Sequence, residues 1–242
     1  VVIIEGASEK PVYLWIGNGK AEIREATFLW GLETGPAQET ILKDVGKAIV
    51  LGIGPGGENL VRYASAVSEL HFCAGRAGMG CVMGSKKLKA IVVKGSGRIA
   101  VANQEKLIAL TRQINQEVKE NPSCATLTRY GTWNNLTPLQ RYGILPTKNF
   151  QAGLIVGGER LESEAINKTI LMKRHTCPYC PIFCRPVVEM EKPYKVSGIY
   201  GGPQYETVAA LGSLVMNTDP ALIAKAHEIC NRYGIDTMSA GE

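Results

Sequence analysis

The stretch HTCPYCPIFCRP, His175 to Pro186, constrains this chain more than any other, because it places Cys177, Cys180 and Cys184 at a two-then-three spacing. Such a triplet can hold zinc, hold an iron–sulfur cluster, or be three packed thiols. Zinc sites usually come as two separated pairs, and His175 lies too close to Cys177 to act as the distant half of one. Packing alone is a weak account, since three free thiols within eight residues, beside Pro178, Pro181 and Pro186, would fill a core in an unusual way,. Ligation of an iron–sulfur cluster by thiolates fits best. No fourth cysteine stands nearby, and Cys230 falls in an amphipathic helical pattern that reads as core.

Seven cysteines in all, three of them clustered, favour a reducing compartment over a disulfide framework, so a cytoplasmic protein is expected,. The net charge of +5 is mild and dispersed, which argues against nucleic acid as a partner,. No apolar run reaches the 18 residues that a membrane-spanning helix needs. The chain begins with VVIIEG, which reads as mid-strand, and stops at SAGE, directly after a helix terminus; a piece of a longer polypeptide is expected.

The pattern of elements reads as α+β. Up to residue 102 the chain reads as strands with turns: VVII, PVYLWIGNG, KAEIREATFLWG, KAIVLGIG and LKAIVVKGSG,. One helix, ENLVRYASAVSEL, is expected among them, with Leu60, Val61, Ala64 and Val67 at helical spacing,. From residue 103 to 242 the chain is mainly helical. It opens with NQEKLIALTRQINQEVKENP and passes through the Gly- and Pro-punctuated TPLQRYGILPTKNFQAG,. In TDPALIAKAHEICNRYG, Asp219 can cap a helix, Pro220 suits its first position and Gly234 can close it,. Leu222, Ile223, Ala226, Ile229, Cys230 and Tyr233 are its expected buried face.

Two glycine-rich loops invite a ligand. Gly52, Gly54 and Gly57 form G-x-G-x-x-G after a strand, but the acidic residue a dinucleotide site needs about 20 positions on is missing,. Glu69 is the nearest candidate, and a tight strand-to-helix turn is the better reading. The second loop, AGRAGMGCVMGSKKLKAIVV, combines Gly75, Gly78, Gly80 and Gly84 with Arg76, Lys86, Lys87 and Lys89. It suits phosphate or another polyanion, set against a solvated basic turn. It is not a P-loop, because GSKK reverses the order of hydroxyl and lysine.

That loop, the triplet HTCPYCPIFCRP and the run GGPQYETVAALGS…CNRYGIDTMSAG, in that order, closely resemble the tungsten-containing aldehyde:ferredoxin oxidoreductase family. PVYLWIGNG, GPGGENLVRYA and YGILPTKNF are similar too, so the resemblance spans essentially the whole chain. It implies the C-terminal part of a β-rich base domain, on which two pyranopterins lie, followed by the N-terminal part of a helical domain. It also implies tungsten or molybdenum on a bis-pyranopterin, magnesium bridging the pterin phosphates, and a [4Fe-4S] cluster. Cys177, Cys180 and Cys184 match three cluster ligands, with the fourth cysteine expected beyond Glu242. Gly75, Arg76 and Gly78 match a pterin-contacting loop, and NRYGIDT matches the first pterin motif through Asn231, Ile235 and Asp236. Asn231 stands where the motif has aspartate, Ile235 where it has leucine, and Gln204 where many relatives carry glutamate.

Glu206 in PQYET matches an active-site glutamate. It would act as general acid or base if burial raised its pKa, set against a structural carboxylate at a helix start. The implied reaction is oxidation of an aldehyde, a small-molecule substrate, to a carboxylic acid. Electrons would pass to ferredoxin or to an iron–sulfur electron-transfer subunit, in a homo- or hetero-oligomer. Two alternatives stand beside it: a low-potential reductase of the benzoyl-CoA reductase type, and an iron–sulfur electron-transfer subunit without tungsten.

Overall fold

A computed structural model describes residues 1–242 and is α+β. The chain divides into two units, residues 1–97 with 228–240, and residues 98–227 with 241–242. Residues 228–240, placed with the helical part in the sequence reading, therefore return to the first unit.

The first unit is built on a six-stranded sheet in the order β2-β1-β6-β3-β4-β5. Its strands are β1 (Val12–Gly17), β2 (Lys20–Glu25), β3 (Ile49–Gly52), β4 (Ala66–Ser68), β5 (Phe72–Ala74) and β6 (Leu88–Val93). β1 and β2 are joined by Asn18-Gly19, both with positive φ, the two-residue turn whose twist suits a hairpin,. β1 and β6 run parallel, whereas β3 is antiparallel to both of its neighbours. A dinucleotide-binding unit would need parallel strands there, so Gly52, Gly54 and Gly57 mark a turn into the single-turn helix α2 (Pro55–Glu58),. Helix α1 (Thr34–Val45) covers the sheet through Ile41 and Val45, packed with Tyr13, Leu29, Val50 and Val92. Helix α3 (Met79–Ser85) brings Met83 against Ile53, Ala66 and Leu88.

Two expectations fail here. VVII is not a strand, although Ile4 packs beside Val12 and Leu14. The expected helix ENLVRYASAVSEL is not one either. Leu60 has left-handed backbone, and Ala64–Val67 are four consecutive buried residues, the pattern of a strand covered on both faces rather than of a one-faced helix,. Pairing with β3 and β5 overrides the helical spacing of the apolar residues,.

A buried ion pair sits under this sheet. The β1–β6 register jumps at Val12/Tyr13, which pair with Leu88 and Ala90, so Lys89 is the extra residue of a bulge,. Lys89 is 1% exposed and Glu58 3%. The Lys89 ammonium donates to Glu58 Oε1 and, at 2.8 Å, to Leu32 O, while Glu58 Oε2 accepts from Gly31 N at 2.7 Å. Burial pushes the Lys89 pKa down, and the Glu58 carboxylate offsets part of that shift,.

The second unit holds α4 (Gln104–Glu120), α5 (Pro122–Tyr130), α6 (Leu136–Arg141), α7 (Ser163–Thr169) and α8 (Tyr205–Leu211), with the hairpin of β7 (Leu171–His175) and β8 (Arg185–Val188). Asn121 ends α4 and caps α5 by accepting from Ser123 N and Cys124 N, with Pro122 at the first helical position,. The core gathers Trp133, Leu136, Leu145, Leu161, Ile166, Val188 and Val208. Helix α9 (Pro220–Tyr233) is capped by Asp219, as expected, and α10 (Thr237–Gly241) follows it. The buried face of α9 is the expected one only at Ile223 and Cys230. Leu222, Ile229 and Tyr233 are exposed, while Ala221, Ile223, Ala224, Glu228, Cys230 and Asn231 are buried, the polar members each finding partners. No single helix is long and apolar enough to cross a membrane.

Glu58→Leu would leave a buried, unpaired ammonium and is expected to cost about 3–5 kcal/mol in chemical denaturation, with Lys89→Met added to it recovering most of the loss. A double variant no more stable than the single one would rule out the charge as the cause. Gly84→Ala would drive a Cβ into the carbonyl of Gly57, and a loss of about 1–3 kcal/mol is expected by the same measurement,.

Candidate functional site

The candidate pterin residues come from two distant stretches that meet in the first unit. Between β5 and α3 the chain makes a tight turn over Arg76–Gly78, in which both Ala77 (φ 70°) and Gly78 (φ 69°) are left-handed. Gly78 is required twice over: its φ favours glycine, and a Cβ there would strike the carbonyl of Arg62,. Ala77 tolerates the same conformation only at a cost of about 1–3 kcal/mol, a strain typical of backbone held for a purpose.

The second stretch is a helix end followed at once by a helix start. Gly234 (φ 67°) closes α9: Ile235 N donates to Cys230 O at 2.8 Å and Gly234 N to Asn231 O at 3.3 Å, the pair of bonds that defines a glycine C-cap,. Asp236 then caps α10, accepting from Ser239 N (3.1 Å) and Ser239 Oγ (2.8 Å) through Oδ2 and from Met238 N (3.4 Å) through Oδ1,. The expected pterin motif is thus a turn with fixed geometry at each of its ends.

Side chains join the two stretches. Arg76 Nη1 donates to Asp236 Oδ2 at 3.3 Å, across 160 residues of sequence; the arginine side chain is 58% exposed and the carboxylate 7%. Asn231, itself buried, donates to Leu70 O (3.4 Å), accepts from Cys73 Sγ (3.5 Å), and through its carbonyl accepts from Thr34 Oγ1 (2.9 Å). Gly75 faces the same carboxylate, since a Cβ there would lie 3.3 Å from Asp236 Oδ1. All six residues, Gly75, Arg76, Gly78, Asn231, Ile235 and Asp236, are therefore in one neighbourhood. Arg232 anchors it with paired 2.8 Å bonds to Glu33 and a 3.3 Å contact to Glu228, which raise its pKa. Burial pushes the Cys230 thiol up to about 11, in keeping with a core role.

The basic loop needs correction. Of its four cations only Arg76 reaches the expected pterin motif, at Asp236. Lys86 and Lys87 donate to Gly6 O and Glu9 O, holding the N-terminal segment, and Lys89 belongs to the buried pair with Glu58. The glycines likewise serve close backbone packing: Gly80 N donates to Ala64 O, and Gly84 rests on Gly57. What remains fits a pterin phosphate: one exposed guanidinium with most of its N–H groups uncommitted, at a turn flanked by Gly75 and Gly78,.

The cysteine triplet lies in the second unit, in the loop between β7 and β8. Thr176 Oγ1 sits 2.7 Å from Cys180 O and 2.9 Å from Ile182 O, cinching the loop, and Cys180 N donates to Cys177 O at 3.1 Å. Tyr179 is left-handed and fully exposed. Cys177, Cys180 and Cys184 are half-buried free thiols, and no group of three or more His, Cys, Asp or Glu is drawn together to hold a metal ion. The donor chemistry nevertheless fits an iron–sulfur cluster: three thiols on one loop and, beneath it, a cation without an anionic partner. That cation is Arg174, which the sequence reading missed although it stands three residues before Cys177. Its Nη2 donates to Asn167 Oδ1 at 2.6 Å and its Cζ lies 4.8 Å from the Trp133 ring centroid, while Nε and Nη1 are buried with no acceptor. Burial lowers its pKa to about 10, opposed by the field of Cys184.

Glu206 stands in the first turn of α8, where Tyr205 N donates to Thr132 Oγ1 at 3.0 Å. It is exposed, so the burial on which the acid–base expectation rested is absent here. Its neighbour Tyr205 has a raised pKa, mainly from burial and also from the Glu206 charge.

Comparison with known proteins is consistent along the chain. Residues 1–95 match the family model "Aldehyde ferredoxin oxidoreductase, N-terminal domain", and residues 109–242 match "Aldehyde ferredoxin oxidoreductase, domains 2 & 3". Tungsten-containing aldehyde ferredoxin oxidoreductases of Thermococcus kodakarensis and Pyrococcus furiosus are 38% and 37% identical to 99% of this chain, which covers 40% of each. The aliphatic sulfonate oxidoreductase WOR-like subunit of Pyrococcus furiosus is 31% identical, again with 99% of this chain and 40% of the relative covered. Among solved structures, the active site complex BamBC of benzoyl coenzyme A reductase, bound to 1,5-dienoyl-CoA, aligns with a TM-score of 0.71 and 25% identity, over 98% of this chain and 37% of that one. The chain thus spans about two fifths of the length of these relatives. On the two family matches and these identities, the chain belongs to the aldehyde ferredoxin oxidoreductase family.

Proposed function

We propose that this chain is part of a tungstopterin and [4Fe-4S] oxidoreductase that oxidises an aldehyde to a carboxylic acid and passes the electrons to ferredoxin. The observation that carries the reading is the junction of Arg76 and Gly75 with Asp236 and Asn231, two stretches matching the pterin loop and the pterin motif, held together by side-chain hydrogen bonds. A bound metal–pterin would supply the two-electron chemistry, and the protein would supply position and proton handling.

In that reaction the aldehyde gains one oxygen from water and gives up two electrons with two protons. Arg76 would hold the pterin phosphate by charge-assisted hydrogen bonds. Asp236, already aimed by Arg76 and Ser239, would accept from pterin N–H groups. Asn231, with an amide in place of a carboxylate, can both donate and accept, so one of its pterin contacts would be reversed in sign. Cys177, Cys180 and Cys184 would ligate the cluster, with a further ligand from the rest of the protein. Glu206, exposed at the start of α8, would take or return a proton of the substrate,.

A second reading, reduction by the same cofactor at low potential, is favoured by one observation: the solved neighbour is a benzoyl coenzyme A reductase complex holding a dienoyl-CoA. Partner subunits would then take the place of ferredoxin.

Metal analysis of the full-length protein, with an aldehyde-dependent viologen reduction assay, tests both. Tungsten or molybdenum together with aldehyde-dependent reduction is expected. Metal present without aldehyde activity would favour the reductase, and absence of both metals would end the proposal. Glu206→Gln is expected to lower kcat by about 10²–10⁴-fold with metal content unchanged. A variant that keeps its kcat would assign Glu206 to the helix start instead.

A further inference from the structure

A guanidinium beneath the cysteine loop with two buried nitrogens facing no acceptor is out of keeping with a merely structural residue. Buried donors in folded proteins are almost always partnered, and a buried cation is normally matched by a carboxylate. Arg174 has neither match. Asn167 takes one N–H of Nη2, and the Trp133 ring covers one face, which leaves Nε and Nη1 unaccounted for.

The backbone around Arg174 is shaped to keep it there. Across the hairpin Arg174 pairs with Pro186 and His175 with Arg185, which sets Arg174 at the base of the loop on which Cys184 ends. Gly131, with φ 64°, packs against both: a Cβ on it would collide with Arg174 Nη1 and lie 2.5 Å from the carbonyl oxygen of Cys184. Guanidinium and Cys184 therefore border the same small space, near enough for the Cys184 charge to act on the arginine. Trp133, 1% exposed, is fixed through its indole N–H to Pro203 O, so the stacking face is rigid.

We propose that Arg174 is a built-in counter-charge for the Cys184 thiolate, a positioning residue that raises the reduction potential of the iron–sulfur cluster the triplet would hold. This rests on the reading of Cys177, Cys180 and Cys184 as cluster ligands given above. The physical cause is direct. An iron–sulfur cluster gains one negative charge when it takes up an electron, and a fixed positive charge beside a ligating residue stabilises the reduced form more than the oxidised one. Fully exposed lysines or arginines would be screened by solvent, whereas Nε and Nη1 of this one are shut off from it,.

The test uses the full-length, cofactor-loaded protein and reads the cluster itself. Iron content and the electron paramagnetic resonance signal of the dithionite-reduced protein come first; with no cluster in the unmodified protein, the ligand reading and this inference both fall. With a cluster present, a redox titration compares Arg174→Met, Arg174→Gln and Arg174→Lys. The two neutral variants are expected to lower the equilibrium constant for cluster reduction by about tenfold or more, which is ~59 mV for one electron, and Arg174→Lys to stay within about twofold of the unmodified protein. Equal potentials in all four proteins would overturn the inference while leaving the ligand reading intact. If the neutral variants lose iron, retention of iron by Arg174→Lys supports the counter-charge, and loss of iron in all three variants assigns Arg174 to packing and overturns it.

Discussion

The carboxylate of Asp236 is the point on which the first unit depends. It accepts from the backbone and hydroxyl of Ser239 and from Arg76, so it starts one helix and clasps a turn 160 residues away with the same two oxygens. Because it is almost fully buried, it is held in one orientation, and its capping bonds replace the water it has lost,. The glycine cap before it fixes the path of the chain from Cys230 to Ile235, and Asn231 adds bonds to Leu70 and Cys73. That clasp adds to the packing of Gly78 and Gly80 on the backbone of Arg62 and Ala64 in holding the left-handed Ala77–Gly78 turn,.

Most of the cations in the first unit whose partners are clear hold the fold. Lys89 and Glu58 neutralise each other inside the first unit; Arg232 is saturated by Glu33 and Glu228; Lys86 and Lys87 hold backbone carbonyls. Two arginines beside the candidate site residues keep donors to give. Arg76 is exposed at its turn, where an anion can reach it, and Arg174 is buried beneath a loop of thiols. A formal charge of +5 says nothing about this, since most of the positive side chains are already bound or solvated.

What could be seen in the sequence was whatever a few neighbouring residues decide. Asn-Gly between β1 and β2, Asp219 before Pro220, and Gly234 at the end of α9 follow from local backbone preferences and stand as such in the structure,. The segment 58–70 went wrong because its apolar spacing suits a helix, while the strands on either side require a strand, and pairing decides. The face of α9 went wrong for a related reason: hydropathy assigns Leu222 and Ile229 to the interior, but Glu228 and Asn231 have buried partners and take that place. Arg174 left no signal of its own, since its meaning comes from Trp133, Gly131 and Asn167, which only the fold brings near it.

The glycine-rich loop shows how packing can require glycines that composition alone assigns to a ligand. Its glycines read as an invitation to phosphate, yet Gly80 and Gly84 are needed so that α3 can lie directly on the backbone of Ala64 and Gly57. That close approach is what brings the Arg76–Gly78 turn down beside Asp236. Packing density at α3 and ligand readiness at Arg76 are therefore one property of the same residues: the helix can be seated only where side chains are absent, and its seating leaves one guanidinium exposed at the turn. A loop with the same charges and bulkier residues would keep the cations and lose the arrangement.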